Sequence, residues 1–414
     1  MLELAAIILT VTAGLAWFNE RYIRLPATIG VMLSALLLSL AMQGLAALGW
    51  EAPAALARGW VEALDFDSLL MNGMLSFLLF AGALHVDVAK LRDYWVSIGV
   101  LATLGVLAST LLIGVASHWL LAALGVPVAL PWCLVFGALI SPTDPVAVLG
   151  IMRGAGAPVD MEVRIVGESL FNDGVAVVLF TLLLAAAESG ESLLGWHAIW
   201  LFAEEAGGGA LFGLLLGYGV HALMKRVDQY QVEVLLSLAM VLGGYTLATH
   251  LHVSGPIAMV VAGLVVGNHA WTHAMSPQTR QHLNDFWELI DEILNALLFV
   301  IIGLELLALP FRVDYLWVAV PLILLLLAVR WLVVAVPVTL AHTHFRRGSI
   351  PVLAWGGLRG GISVALALSL PPSEARDVVL NVTYLIVLVS IVVQGLTIGR
   401  VVGRVLAAGE AQKD

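Results

Sequence analysis

The sequence predicts an all-α polytopic membrane protein of thirteen transmembrane helices, two inverted six-helix repeats whose helices 5 and 12 are unwound and cross. Three observations carry that prediction. Of 414 residues, 61% are hydrophobic and only 12% charged, and the mean hydropathy is +1.00. Soluble domains carry about a quarter charged residues, so this chain cannot cover itself with a water-facing surface. Apolar stretches close to the roughly 20 residues a spanning helix needs recur from end to end. Basic residues, finally, concentrate on alternate connections, as the positive-inside rule requires.

The first apolar stretch, 2–18, lacks a positive n-region and a small-residue cleavage site, so it reads as a first span rather than a removed signal. Further spans are expected at 26–46, 68–86, 93–121, 128–150, 165–187, 197–224, 231–250, 253–268, 284–308, 313–340, 349–370 and 377–399. The ninth is short, and 51–67 is amphipathic and suits a membrane interface. With the N-terminus outside and the C-terminus cytoplasmic, the inside connections hold Arg21, Arg24, Lys90, Arg92, Arg153, Arg164, Lys225, Arg226, Arg280, Arg346 and Arg347. The tail adds Arg400, Arg404 and Lys413, which makes fourteen of the nineteen basic residues. Outside connections hold Arg58, Arg312 and Arg376, while Arg330 and Arg359 fall within spans. No polar stretch is long enough for a separate soluble domain. The lone Cys133 can form no disulfide within the chain, and a formal charge of −10 argues against a nucleic-acid partner.

Thirteen spans permit a symmetry. Helices 1–6 start and end outside, helix 7 crosses, and helices 8–13 repeat the unit upside down. Helix 5 is interrupted by SPTDP at 141–145, and its counterpart, helix 12, by GGLRGG at 356–361. Proline and glycine are common in membrane helices, but interruptions at matching places in two halves point to a transporter's substrate site.

Chemistry gathers at those interruptions. Pro142 and Pro145 each remove a backbone donor and disfavour helix at the preceding residue, so Thr143 and Asp144 fall where helix 5 unwinds. Free carbonyls there can ligate a hard cation, and Asp144 can offset the positive end of the adjacent half-helix. Helix 6 contains GESLFNDGVAVVLF, in which Glu168, Ser169, Asn172 and Asp173 share one face. An ionisable residue at the bilayer centre costs about 2.5–3.5 kcal/mol on insertion scales, so it normally has a function or a partner. Helix 12 supplies a permanent cation, Arg359. Glu168 is its leading counter-ion, which leaves Asp173 as the carboxylate free to exchange what neutralises it. Arg330 is an intramembrane base with no assigned partner.

Five ordered stretches, SPTDPVAV, GESLFNDGVAVVLF, GPIAMVVAGLVVGN, FWELIDEILNALLFVIIGLEL and WGGLRGGISVALALSL, resemble the monovalent cation:proton antiporter-1 family. This is the NhaP-type group related to the animal sodium/proton exchangers, and the likeness runs from helix 3 to helix 13. It implies a thirteen-helix Na+/H+ antiporter fold, a homodimer in the cell membrane, and no cofactor beyond the transported ion. The scaffold would comprise residues 1–92 and 188–308, and the mobile core residues 93–187 and 309–414 with the tail. The family's Asn-Asp pair falls on Asn172 and Asp173, its serine ligand on Ser169, its Thr-Asp of the unwound helix on Thr143 and Asp144, and its structural ion pair on Glu168 and Arg359. Asp173, Ser169 and Thr143 would thus hold Na+. One departure is Ala81, at the place where some archaeal relatives carry a glutamate ligand on helix 3.

The expected mechanism is electroneutral exchange of one Na+ or Li+ for one proton, since Asp173 can hold either but not both. The competing readings are a K+/H+ antiporter, a sodium-coupled organic-solute symporter and a channel. An enzyme is not expected, since no metal-ligand cluster appears and GESLF lacks the second glycine of a nucleophile elbow. His269, His273 and His282, with His342 and His344, read as solvated loop residues. Glu288, Asp291, Glu292 and Asn295 put polar groups on one stretch of helix 10 that suits a cytoplasmic funnel.

Overall fold

A computed structural model describes residues 2–63, 66–190, 196–270, 276–308, 315–340 and 348–410. Every regular element among them is helical. Helix α1 (Leu2–Phe18) runs into a π turn at Asn19–Ile23 and is followed by α2 (Ala27–Ala47). The stretch expected at an interface forms α3 (Ala52–Glu62). Next come α4 (Phe66–Leu69), a π turn, α5 (Leu75–Leu84), the short α6 (Val88–Asp93), α7 (Trp95–Val100), another π turn and α8 (Val106–Ala123). The central elements are α9 (Leu130–Ile140), α10 (Val146–Gly154) and the long α11 (Val159–Ser189). Then follow α12 (Trp196–Met224), α13 (Tyr230–His250), α14 (Gly255–Val265) with its π turn, and α15 (Pro277–Glu305). The last are α16 (Tyr315–Leu340), α17 (Ser349–Trp355), α18 (Gly361–Leu368), α19 (Glu374–Val389), a π turn at Ser390–Gln394, and α20 (Gly395–Glu410).

Eight helical stretches among the described residues are long and apolar enough to cross a membrane, so the chain is an all-helical polytopic membrane protein. The expected spans 128–150 and 349–370 are each two half-helices, α9 with α10 and α17 with α18. Pro142 and Pro145 end the first by removing donors, and the GGLRGG run ends the second. Arg164, expected on a connection, lies inside α11. It is buried, stacks 4.4 Å over the Tyr94 ring and donates to Ser97 Oγ at 2.9 Å. Arg312, Arg346, Arg347, Lys413, His273, His342 and His344 lie outside the described residues.

The polarity of the molecule is that of a lipid-solvated protein. Large apolar side chains such as Leu37, Leu111, Leu215, Trp317 and Leu324 are exposed, whereas Glu168, Asn172, Arg330 and Arg359 are buried. One apolar cluster includes Phe136, Ile140, Ile165, Leu298, Val329, Leu353 and Ile386, so it packs α9, α11, α15, α16, α17 and α19 around the interruptions. A second centres on Trp287, whose ring lies 4.7 Å from that of Phe80, with Met240, Met259 and Leu283 around it. The two apolar bodies leave the broken helices where no lipid-facing backbone would go unsatisfied.

Candidate functional site

The two interruptions meet. Asp144 N–H donates to Leu358 O at 2.8 Å, an isolated antiparallel bridge between the broken strands of backbone. The second interruption is propped from α19 by the π turn: Arg359 N–H donates to Ser390 Oγ at 2.9 Å, Ser390 Oγ to Gln394 Oε1 at 2.6 Å, and Gln394 Nε2 to Trp355 O at 3.2 Å. On the other side Asn172 clamps the first interruption. Its Nδ2 donates to Thr143 Oγ1 at 2.9 Å and its Oδ1 accepts from Thr143 N at 3.4 Å. Ser169 Oγ donates to Thr143 O. Helix ends that would be orphaned in a bilayer are thus supplied with partners.

Charge at the crossing follows the helix ends. Arg359 donates from one guanidinium nitrogen to Ser141 O and to Pro142 O, the latter at 3.0 Å, so it neutralises the negative end of α9. Asp144 Oδ1 accepts from Val146 N at 2.9 Å, at the start of α10. The same carboxylate lies against the start of α18, because a Cβ on Gly360 would fall 2.7 Å from Asp144 Cγ. One acid therefore faces two positive helix ends, and one arginine faces a negative one. Only glycine at position 360 leaves room for this arrangement.

The pair of Glu168 with Arg359 is not formed. Glu168 is paired bidentately with Arg330 of α16, whose Nη2 lies 3.0 Å from Glu168 Oε2 and whose Nη1 binds Oε1. Arg330 Nη2 also donates to Leu353 O at 2.9 Å, near the end of α17. Gly357 makes the approach possible, since a Cβ there would come within 2.9 Å of Arg330 Cζ. The physical reason for the correction is that Arg359 has nearer acceptors in its own crossing, the carbonyls freed by Pro142 and Pro145. Arg330, an unassigned intramembrane base, was itself a signal that an acid had to lie opposite it. What remains from the expected set is Asp173. It is half-buried and has neither a hydrogen bond nor an ion pair among the described residues.

A cavity of about 710 Å³ reaches this carboxylate. Asp173, Asp144, Thr143 and Ser169 line its deep end, and Lys90, Arg153 and Glu162 border its mouth. Arg153 Nε binds Glu162 Oε2 at 3.1 Å there. Glu288, Asp291, Glu292 and Asn295 of α15 all face the same space, so the polar stretch of that helix is cavity wall. Asn172, expected among the cation ligands, is fully buried and not on the wall; it braces Thr143 from behind. Ser363, Ser390 and Gln394 were not singled out from the sequence. Nothing in a lone Ser or Gln within an apolar run marks it, whereas the crossing joins Ser390 to Gln394 and sets Ser363 on the cavity wall. Chemically, the deep end offers carboxylate, hydroxyl and carbonyl oxygens within a greasy frame, the donor set of a hard monovalent cation.

A family profile described as "Sodium/hydrogen exchanger, transmembrane" matches residues 7–404. The Na(+)/H(+) antiporter NhaP of Pseudomonas aeruginosa is 51% identical over 420 residues, covering 100% of this chain and 99% of its own. The Na(+)/H(+) antiporter NhaH of Halobacillus dabanensis is 38% identical over 338 residues, covering 80% and 82%. In architecture the chain resembles the sodium proton antiporter MjNhaP1 of Methanocaldococcus jannaschii at pH 8. The TM-score is 0.75 over 97% of both chains at 20% identity, a likeness of fold.

Proposed function

The chain belongs to the sodium/hydrogen exchanger family, and on that premise we propose that it is a secondary active transporter exchanging Na+, and also Li+, for a proton. The exchange is electroneutral, one cation against one proton, by competition at Asp173. One observation carries the reading. Glu168 is balanced by Arg330, and Asp144 by two helix starts with Arg359 nearby, so of the acids at the crossing itself Asp173 is the one left to be neutralised by a mobile ion, while Glu288, Asp291 and Glu292 line the approach on α15. A half-buried carboxylate within an apolar frame disfavours standing bare. It takes up either a proton or an alkali cation, and the two loaded states carry the same charge. Ser169 and Thr143 offer neutral oxygens, Asp144 a second carboxylate in place, and Asn172 keeps Thr143 in position.

The same premise extends to architecture. Thirteen spans in two inverted repeats, with the interruptions of helices 5 and 12 crossing, fit the backbone bridge between Asp144 and Leu358. Residues 93–187 and 309–414 form the core that moves, and residues 1–92 and 188–308 the scaffold that pairs in a homodimer in the cell membrane. The cavity mouth is bordered by Lys90 and Arg153, on connections that the charge bias puts inside, so this conformation is open to the cytoplasm.

The test is proton flux in proteoliposomes holding a pH gradient, on adding Na+, Li+ or K+ to the wild type and to Asp173→Asn. Na+ and Li+ discharge the gradient with the wild type and not with the variant. Discharge by K+ alone makes the protein a K+/H+ antiporter, and sodium uptake that needs an organic solute makes it a symporter. Undiminished exchange by the variant removes Asp173 from the mechanism.

A further inference from the structure

Ser363 is a buried hydroxyl, 1% exposed, whose Oγ has no hydrogen-bond partner among the described residues. Ser363 is the one serine among the described residues in this state. Other helical serines here satisfy themselves on a carbonyl three or four residues back, as Ser117 does on Gly114 O at 3.0 Å, Ser34 on Gly30 O at 2.7 Å and Ser141 on Gly137 O at 2.6 Å. Ser363 is the third residue of α18, so the residues three and four back are Gly360 and Arg359, both ahead of the first helical residue. The break in the helix removes the carbonyl that would have taken its proton. An unmade hydrogen bond at a buried hydroxyl costs about 1–3 kcal/mol, so a group in this state calls for an explanation.

Its position supplies one. Ser363 lies on the wall of the cavity that holds Asp173, Ser169 and Thr143, and it comes from the other broken helix. Of the other walls, α15 contributes Asp291 and Asn295, whereas α5 contributes Leu75, Leu78, Leu79 and Gly82, none of which has a side-chain oxygen. Ala81, the departure from those relatives that carry a glutamate at this place, is fully buried and not on the wall. Thr143 and Asp144 of the first interruption and Ser169 and Asp173 of α11 therefore share one cavity with apolar α5 and with Ser363 of the second broken helix.

We infer that the Ser363 hydroxyl is a cation ligand, a neutral oxygen from the second broken helix that raises affinity for the alkali ion without affecting the proton. The inference rests on the proposed cation/proton exchange. A cation entering the deep end must replace its hydration shell with protein oxygens, and a hydroxyl with two free lone pairs replaces one water. A proton on Asp173 needs no such shell. Losing the hydroxyl thus changes one side of the competition.

The experiment uses the full chain in proteoliposomes, with Na+-driven proton flux measured for wild type and Ser363→Ala over a range of Na+ and pH. Removing an atom that makes no hydrogen bond leaves the fold intact, and thermal unfolding in detergent at or above the wild-type temperature is expected. The Na+ KM of the variant rises roughly three- to tenfold, the worth of one neutral dipole contact. Its kcat and its proton competition constant stay at the wild-type values. A wild-type Na+ KM in Ser363→Ala overturns the inference, and so does a lowered kcat at unchanged KM or a shifted proton constant, each of which marks a packing role. A wild type that moves no protons on Na+ addition overturns the proposed function instead, which keeps the two failures apart.

Discussion

Glu168 and Asp173 sit five residues apart on α11, within one apolar membrane chain, and they have opposite fates. Glu168 is enclosed, 1% exposed, with both oxygens on Arg330. Asp173 is half-buried on a cavity wall with no protein partner among the described residues. Burial alone does not separate a structural acid from a working one. The supply of fixed countercharge does: an acid given a permanent cation is locked, and an acid denied one must recruit an ion from solution. Asp144 lies between these cases, held by backbone dipoles at the starts of α10 and α18.

The largest effect that can break the comparison is at Asp173. Asp173→Asn is isosteric and uncharged, and it is expected to abolish cation-driven proton flux while the protein purifies and unfolds as wild type does. Its partner test acts on folding. Arg330→Leu leaves Glu168 as an uncompensated buried acid and should cost about 3–5 kcal/mol, read as a lowered unfolding temperature in detergent or as loss of folded protein. Replacing both members, with Glu168→Leu alongside Arg330→Met, should recover much of that loss, because the cost lies in the stranded charge. Recovery of stability by Arg330→Leu alone would place Arg330 outside any pair. The mildest effect sharpens the comparison by its slope. If protons compete at one acid, as proposed, the apparent Na+ KM should rise as pH falls. The rise approaches roughly tenfold per pH unit at the acid end and flattens at the alkaline end. A steeper acid limb would mean that a second group, such as Asp144 or Asp291, exchanges protons too.

Much of this was legible in the residues, and the parts that were not share a cause. Hydropathy marks the long apolar helices, since it reports on solvent, which acts on each segment separately; the placing of Lys and Arg is a weaker guide, since Arg164 lies inside α11. SPTDP and GGLRGG mark the interruptions because proline and glycine act on their own backbone. Asn172, Ser169 and Thr143 do come together, as their spacing and the resemblance imply. The pairing of Glu168 was misread, with Arg359 in place of Arg330. Two arginines and several acids within spans leave several pairings of equal formal charge, and only the crossing decides among them. There Arg359 spends its donors on Ser141 O and Pro142 O, and Arg330 reaches Glu168 across Gly357. Ser363 was invisible for a similar reason: its missing partner is a property of where α18 starts, which the letters ISVALAL do not mark. The polar stretch of α15 could be seen in advance, but its facing the cavity could not.

One measurement bears most directly on a single exchanging acid, the null point of exchange in proteoliposomes at clamped membrane potential. If one proton trades for one cation at Asp173, net flux vanishes when the Na+ and proton gradients are equal, and this balance point is the same at every imposed voltage. A balance point that moves with voltage contradicts the account, because the loaded carrier would then carry net charge and a second acid would have to share the work.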